Sequence, residues 1–115
     1  MLFRSYEQEL VIAREIGDRR GEGNALGNLG VAYKNLGEVR KAIEFYEQRL
    51  VIAREIGDRR GEGNALWNSA DEFKKLGERD EALSRARAAL AIYEAIEDPW
   101  AVKVRAWLAE WEAEG

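Results

Sequence analysis

An all-α solenoid of about six antiparallel helices is the fold this sequence predicts, on three observations. Residues 6–26, YEQELVIAREIGDRRGEGNAL, return 40 positions later at 46–66 as YEQRLVIAREIGDRRGEGNAL, differing only in Glu9 against Arg49. A period of that size marks units that bury their apolar faces by stacking on one another. Apolar residues recur three or four apart between the glycines, which is the spacing of one helix face. Glycine followed by aspartate interrupts the duplicated stretch both times, at Gly17-Asp18 and Gly57-Asp58. The intervening segments, 27–46 and 67–86, keep only six identities, so one part of the unit has stayed fixed while the other has drifted.

Six helices follow in order, over 2–16, 19–36, 39–56, 59–76, 79–97 and 99–113. Leu2, Phe3, Tyr6, Leu10 and Ala13 form the apolar face of the first. Leu26, Leu29, Tyr33 and Leu36 mark the second, and Ala42, Tyr46, Leu50, Ala53 and Ile56 the third, widened by Ile43. The fourth and fifth follow by the repeat. Gly57 suits the left-handed position after a helix, and the Asp58 carboxylate accepts backbone N–H groups of the next. At the third junction Asp98 aligns with Asp58, and Pro99 falls at the first helical position, where its missing N–H costs nothing. Trp100, Val104, Trp107, Leu108 and Trp111 give the sixth helix a stripe that closes the stack.

The chain of 115 residues allows one domain with a modest core and no separate catalytic domain. At 46% hydrophobic and 35% charged it is a folded protein with a heavily solvated surface. Its net charge of −4 does not favour a polyanion, so no nucleic-acid partner is expected. The Arg pairs 19–20 and 59–60 read as ordinary surface charge. Without cysteine there is no disulfide framework or thiol chemistry. Without histidine the commonest metal ligand and proton shuttle are both missing, and no metal or cofactor is expected. No apolar run is long enough for a membrane span and no leader is evident, so the expected setting is the cytoplasm.

The glycine-rich stretch GDRRGEGNALGNLG, residues 17–30, superficially suggests a phosphate loop. A dinucleotide motif needs a strand before its glycines, whereas residues 13–16 continue an amphipathic helix. Gly21 and Gly23 fall within the first turns of the next helix, where close packing or bending is the expected role, at about 1 kcal/mol of helix propensity each.

The residues Leu26, Leu29, Gly30, Tyr33, Gly37, Ala42, Tyr46 and Leu50 resemble the tetratricopeptide repeat pattern in its longer variant of 40 residues. The next unit offers Leu66, Ser69, Ala70, Phe73, Gly77, Ala82, Ala86, Ala89 and Leu90 at those or neighbouring positions, with two large positions reduced. The resemblance covers roughly 6–97 and divides the chain into a half unit, 1–17, full units 18–57 and 58–97, and a capping helix, 98–115. It implies a right-handed superhelix whose concave side holds a peptide or protein segment. Groove positions then fall on Asn24, Gly27, Asn28, Val31, Lys34 and Asn35, and on Asn64, Trp67, Asn68, Asp71, Lys74 and Lys75. Each Asn offers a donor and an acceptor to an extended backbone, and Lys meets a carboxylate. Val31 and Asp71 stand where carboxylate-holding subfamilies place Asn, which argues against that clamp. Arg49 and Glu9 occupy a normally small position, where a bulky charge must snorkel outward or loosen the packing.

Trp67 replaces Gly27 of the preceding unit, and either anchors a partner or folds onto the cap. The first helix lacks a partner of its own unit, so its face either packs on the following pair or meets a second chain. Oligomer contacts would then involve Leu2, Phe3, Tyr6 and Leu10 at one end, or Trp100, Trp107 and Trp111 at the other, as a homodimer or higher oligomer. Exchange of the near-identical units is a further route. No catalytic residue is expected: most acids alternate with Arg or Lys along helix surfaces, and Ser5, Ser69 and Ser84 have no histidine to activate them. The function these features predict is noncatalytic interaction, with peptide binding in the groove and homo-oligomerisation as its two forms.

Overall fold

A computed structural model describes residues 2–114, with the Leu2 side chain outside the description. Six α-helices run in order: α1 (Leu2–Ile16), α2 (Arg19–Asn35), α3 (Val39–Ile56), α4 (Arg59–Lys75), α5 (Arg79–Ala95) and α6 (Trp100–Ala113). Each packs antiparallel on the next across a short connection, as an α-solenoid requires. The extents of 45 × 30 × 19 Å describe a slab, and the 14.3 Å radius of gyration exceeds the roughly 13 Å of a compact chain this long.

The duplicated junctions fold alike. Asp18 and Asp58 each accept the backbone N–H three residues on, from Gly21 and Gly61, at 2.9 Å in both cases. Gly17 and Gly57 precede them with φ of 73° and 71°, the left-handed region that a Cβ disfavours. At the third junction Glu97 takes that conformation instead, with φ of 55°. Asp98 still caps: its Oδ1 accepts from the Trp100 N–H at 2.8 Å. Helix α6 therefore starts one residue after the expected Pro99, and α2, α4 and α5 end one or two residues before the expected positions. In α2 and α4, Leu36 and Leu76 already share their N–H groups between the i−4 and the tighter i−3 carbonyls.

The core is a spine, divided into three apolar clusters strung along the stack. Leu10 of α1 joins Leu26, Leu29 and Ile52, with Phe3, Tyr6 and Tyr33 packed against them. Phe3 meets Tyr33 edge-on at 4.9 Å, and Tyr33 stacks on Phe45 at 5.4 Å. The expected face of α1 thus packs onto the following pair. At the other end Val104 and Leu108 of α6 are buried, and Trp67 of α4 stacks on Trp107 and Trp111 at 5.5 and 5.0 Å. Trp100 meets Trp107 edge-on at 5.5 Å. Such stacking contributes roughly 0.5–1.5 kcal/mol per pair beyond the area buried.

Several glycines serve close helix approach. A Cβ on Gly30 would lie 2.5 Å from the Tyr46 ring, and one on Gly63 would lie 3.1 Å from the Tyr93 ring. The drifted half of the next unit solves the first contact differently, with Ala70 and Ala86 where the preceding unit has Gly30 and Tyr46. One methyl is gained and one phenol ring lost, and Leu83 and Leu108 fill the same cluster.

Two of the Arg pair residues reach neighbouring elements: Arg19 pairs with Glu55 of α3 and Arg60 holds Asp98 at 2.6 Å, while Arg19–Glu22 and Arg59–Glu62 lie within one helix. On such exposed arginines these ion pairs add little stability, and the two that join different elements fix register.

Candidate functional site

Helices α2 and α4 stand side by side with α3 behind them, and the repeat places their polar faces in the same register. Asn24 and Asn28 on α2, spaced one turn apart, are matched by Asn64 and Asn68 on α4. With Gly27, Val31 and Arg49 they line one concavity of about 410 Å³. Asn24 also borders a second of about 330 Å³, lined by Glu9, Ile12, Ala13, Ile16, Asp18 and Gly21. Asn68 also borders a third of about 270 Å³, with Lys34, Trp67, Asp71, Trp107 and Trp111. Three adjoining hollows thus share asparagines and form one groove. Its chemistry changes along the way: acidic at Glu9 and Asp18, amide and guanidinium at the centre, aromatic beside Lys34 and Asp71.

The groove brings together Asn24, Gly27, Asn28, Val31, Lys34, Asn64, Trp67, Asn68 and Asp71 from the sequence expectation. Asn35 is exposed at the end of α2 and borders none of the three hollows. Lys74 turns away to Glu114 at 3.3 Å and lies over the Trp111 ring at 5.3 Å. Lys75 is held by Glu72 at 3.1 Å and Asp71 at 3.6 Å. Trp67 is half-buried in its stack with the α6 tryptophans, so it offers the groove only the remaining part of its surface.

Arg49 is the residue that pattern matching left outside the groove. Its side chain runs over α2 where Gly23 and Gly27 have no Cβ; one on either would come within 2.9 or 2.8 Å of it. The side chain is 14% exposed, and burial pushes its pKa down, partly offset by Asp58. The signal in the sequence was its being the one residue that differs between the two copies.

Some buried polar atoms belong to the scaffold. Tyr93 donates its O–H to Asn64 at 2.6 Å, so one side of that asparagine is fixed from behind. Tyr46, by contrast, has its hydroxyl buried without a partner among the described residues, and burial, with Glu72 and Asp71 adding, raises its pKa. Arg85 is held by Glu47, Glu81 and Ser69 and lies over Phe73, locking α3, α4 and α5 together.

A family model described as tetratricopeptide repeat matches residues 28–95, which is more than half of the chain and spans the paired helices just described. The chain belongs to the tetratricopeptide repeat family. No curated protein matches it. Tetratricopeptide repeats are helical interaction modules, typically without catalysis. Among the described residues no group of three or more Asp or Glu is placed to hold a metal ion. No described helix is long and apolar enough to cross a membrane.

Proposed function

We propose that this tetratricopeptide module binds an extended peptide or protein segment along the groove between α2 and α4. We assign it to the longer, 40-residue variant, with full units 18–57 and 58–97 between a half unit, 1–17, and a closing helix, 98–115. The supporting observation is the matched pair of asparagine turns, Asn24 and Asn28 beside Asn64 and Asn68, around a single concavity. An extended segment has alternating N–H and C=O groups, and an asparagine ladder meets both. Lys34, Asp71 and the exposed part of Trp67 would distinguish side chains at one end. Asn35, Lys74 and Lys75 have a secondary part at most, since they lie at the margin or in ion pairs.

The test uses peptides selected from a random library on the intact protein. Asn28→Ala with Asn68→Ala should weaken a selected peptide about tenfold or more, since each lost hydrogen bond is worth about 1 kcal/mol. Helix content and molecular mass should not change. Affinity equal to that of the parent protein sinks this reading.

A second reading, homotypic assembly, is favoured by one observation. Ile12 is 55% exposed on α1, whereas its copy Ile52 is 3% exposed on α3. Val11 and Ile16 are exposed beside Ile12, so α1 presents an apolar stripe, with Ile12 and Ile16 also bordering the hollow at Asn24. Phe3, Tyr6, Leu10 and the α6 tryptophans are engaged within the chain, which leaves this stripe as the better contact for a second copy. Light scattering across a wide concentration range separates the readings. A mass of 13.1 kDa throughout removes the second, and a multiple that reverts on Ile12→Lys supports it.

A further inference from the structure

The duplication of residues 6–26 at 46–66 is broken at one position, and that position faces the groove: Glu9 borders one hollow and Arg49 the next. A carboxylate has become a guanidinium while every neighbour in sequence stayed the same. Two sheltered arginines show what is unusual about the result. Arg85, with 15% of its side chain exposed, is bonded to Glu47, Glu81 and Ser69. Arg49 is equally sheltered at 14%, yet among the described residues its guanidinium finds no hydrogen-bond acceptor. Its nearest carboxylate oxygen, Oδ2 of Asp58, is 3.8 Å away, beyond hydrogen-bond reach, and is shared with Arg20 at 3.6 Å, while Oδ1 caps α4. A cation taken largely out of water without an acceptor is costly, and an arriving anion relieves that cost.

The surroundings suit an anion. Arg49 opens on a concavity of about 410 Å³, far above the roughly 30 Å³ of one water. Asn64 has its carbonyl taken by the Tyr93 hydroxyl, so its amide N–H groups are the end left for a ligand. Glu9 on one side and Asp71 on the other repel a second acid in the adjoining hollows.

We infer that Arg49 is the receptor for a single carboxylate of the bound segment, gripped by the guanidinium fork beside the Asn64 and Asn68 amides. The carboxylate comes from an Asp or Glu side chain or from a chain terminus; both present the same two oxygens to the fork. The inference rests on the groove reading for the peptide nature of the ligand. The anion site itself stands on Arg49 alone.

The experiment follows the Arg49 side-chain N–H signal and the Asn64 and Asn68 amide signals by nitrogen–proton NMR on the intact protein. The probes are N-acetylglutamate N-methylamide for a side-chain carboxylate and N-acetylalanine for a terminal one. N-acetylglutamine N-methylamide and sodium chloride serve as controls at matched ionic strength. The expected result is a saturable shift of all three signals with a carboxylate, about tenfold tighter than with chloride, as charge-assisted bonds require. Whichever carboxylate binds more tightly identifies the source. Arg49→Gln should abolish the Asn64 and Asn68 shifts, and Arg49→Lys, which keeps charge but not the fork, should retain only part of the affinity. Shifts that match those with chloride or the glutamine control overturn the proposal, with no variant needed. Peptides that bind through Asn28 and Asn68 while the carboxylate probes fail leave the groove reading standing and this one refuted. Carboxylate binding with peptide affinity indifferent to Asn28 and Asn68 does the reverse.

Discussion

Residues 6–26 and 46–66 are one sequence in two surroundings, and what they share separates local from tertiary causes. Both form a helix, a left-handed glycine and an aspartate cap, with cap distances of 2.9 Å in each. Those features depend on atoms within a few residues, so identical sequence gives identical geometry. Burial does not follow. Ile52 lies under α2 beside Gly23, whereas Ile12 has no helix over it and stays exposed on α1. The repeat sets the secondary structure, and the neighbouring helix sets what each side chain contributes.

The largest expected effect sharpens the contrast between Gly27 and Trp67, which occupy equivalent places. Trp67→Ala removes the stacks on Trp107 and Trp111 and should cost about 3–5 kcal/mol in urea unfolding. A loss below about 1 kcal/mol, typical of an ordinary surface site, would mean that α6 is not held by this stack. Next, Ile52→Ala should cost about 2–5 kcal/mol, while the same change at Ile12 should stay within about 0.5 kcal/mol. Equal losses at the two sites would break the comparison, because they require a cover over α1 like the one over α3.

A smaller effect runs the other way. Glu97 holds at φ of 55° the place that glycine fills at the first two junctions. Glu97→Gly should therefore raise stability by about 1 kcal/mol, seen as a higher melting temperature. No gain would mean that the glutamate is relaxed there.

The smallest is a pH effect at the same junction. The Trp100 N–H, and then Arg60, hold the Asp98 carboxyl below its ordinary pKa. A depressed carboxyl contributes stability above its unfolded-state pKa and loses it as pH falls through the lower folded value. The melting-temperature gap between the parent protein and Asp98→Asn should accordingly be full near neutrality and close in acid. A gap that persists unchanged into acid would remove Asp98 as its source.

The helices were legible because spacing and junction chemistry are local. Apolar residues three or four apart and the Gly-Asp pairs located all six, with ends shifted by a residue or two where Leu36 and Leu76 begin tighter turns. The asparagines were legible through the family pattern, since positions 24, 28, 64 and 68 follow from helix register. Arg49 was not, because its course depends on how closely α2, α3 and α4 approach where Gly23, Gly27 and Gly61 leave room. Lys74 and Lys75 read as groove cations for the converse reason. Their partners Glu114 and Glu72 become relevant only when α6 folds back and when helix phase is known in detail.

The most direct test of the central claim is to map a library-selected peptide onto the protein by NMR chemical-shift changes. The account predicts changes at Asn24, Asn28, Arg49, Asn64 and Asn68, with Val11, which borders none of the three hollows, unmoved. Changes confined to Val11, Ile12 and Ile16 would contradict it and make the apolar stripe of α1 the working surface.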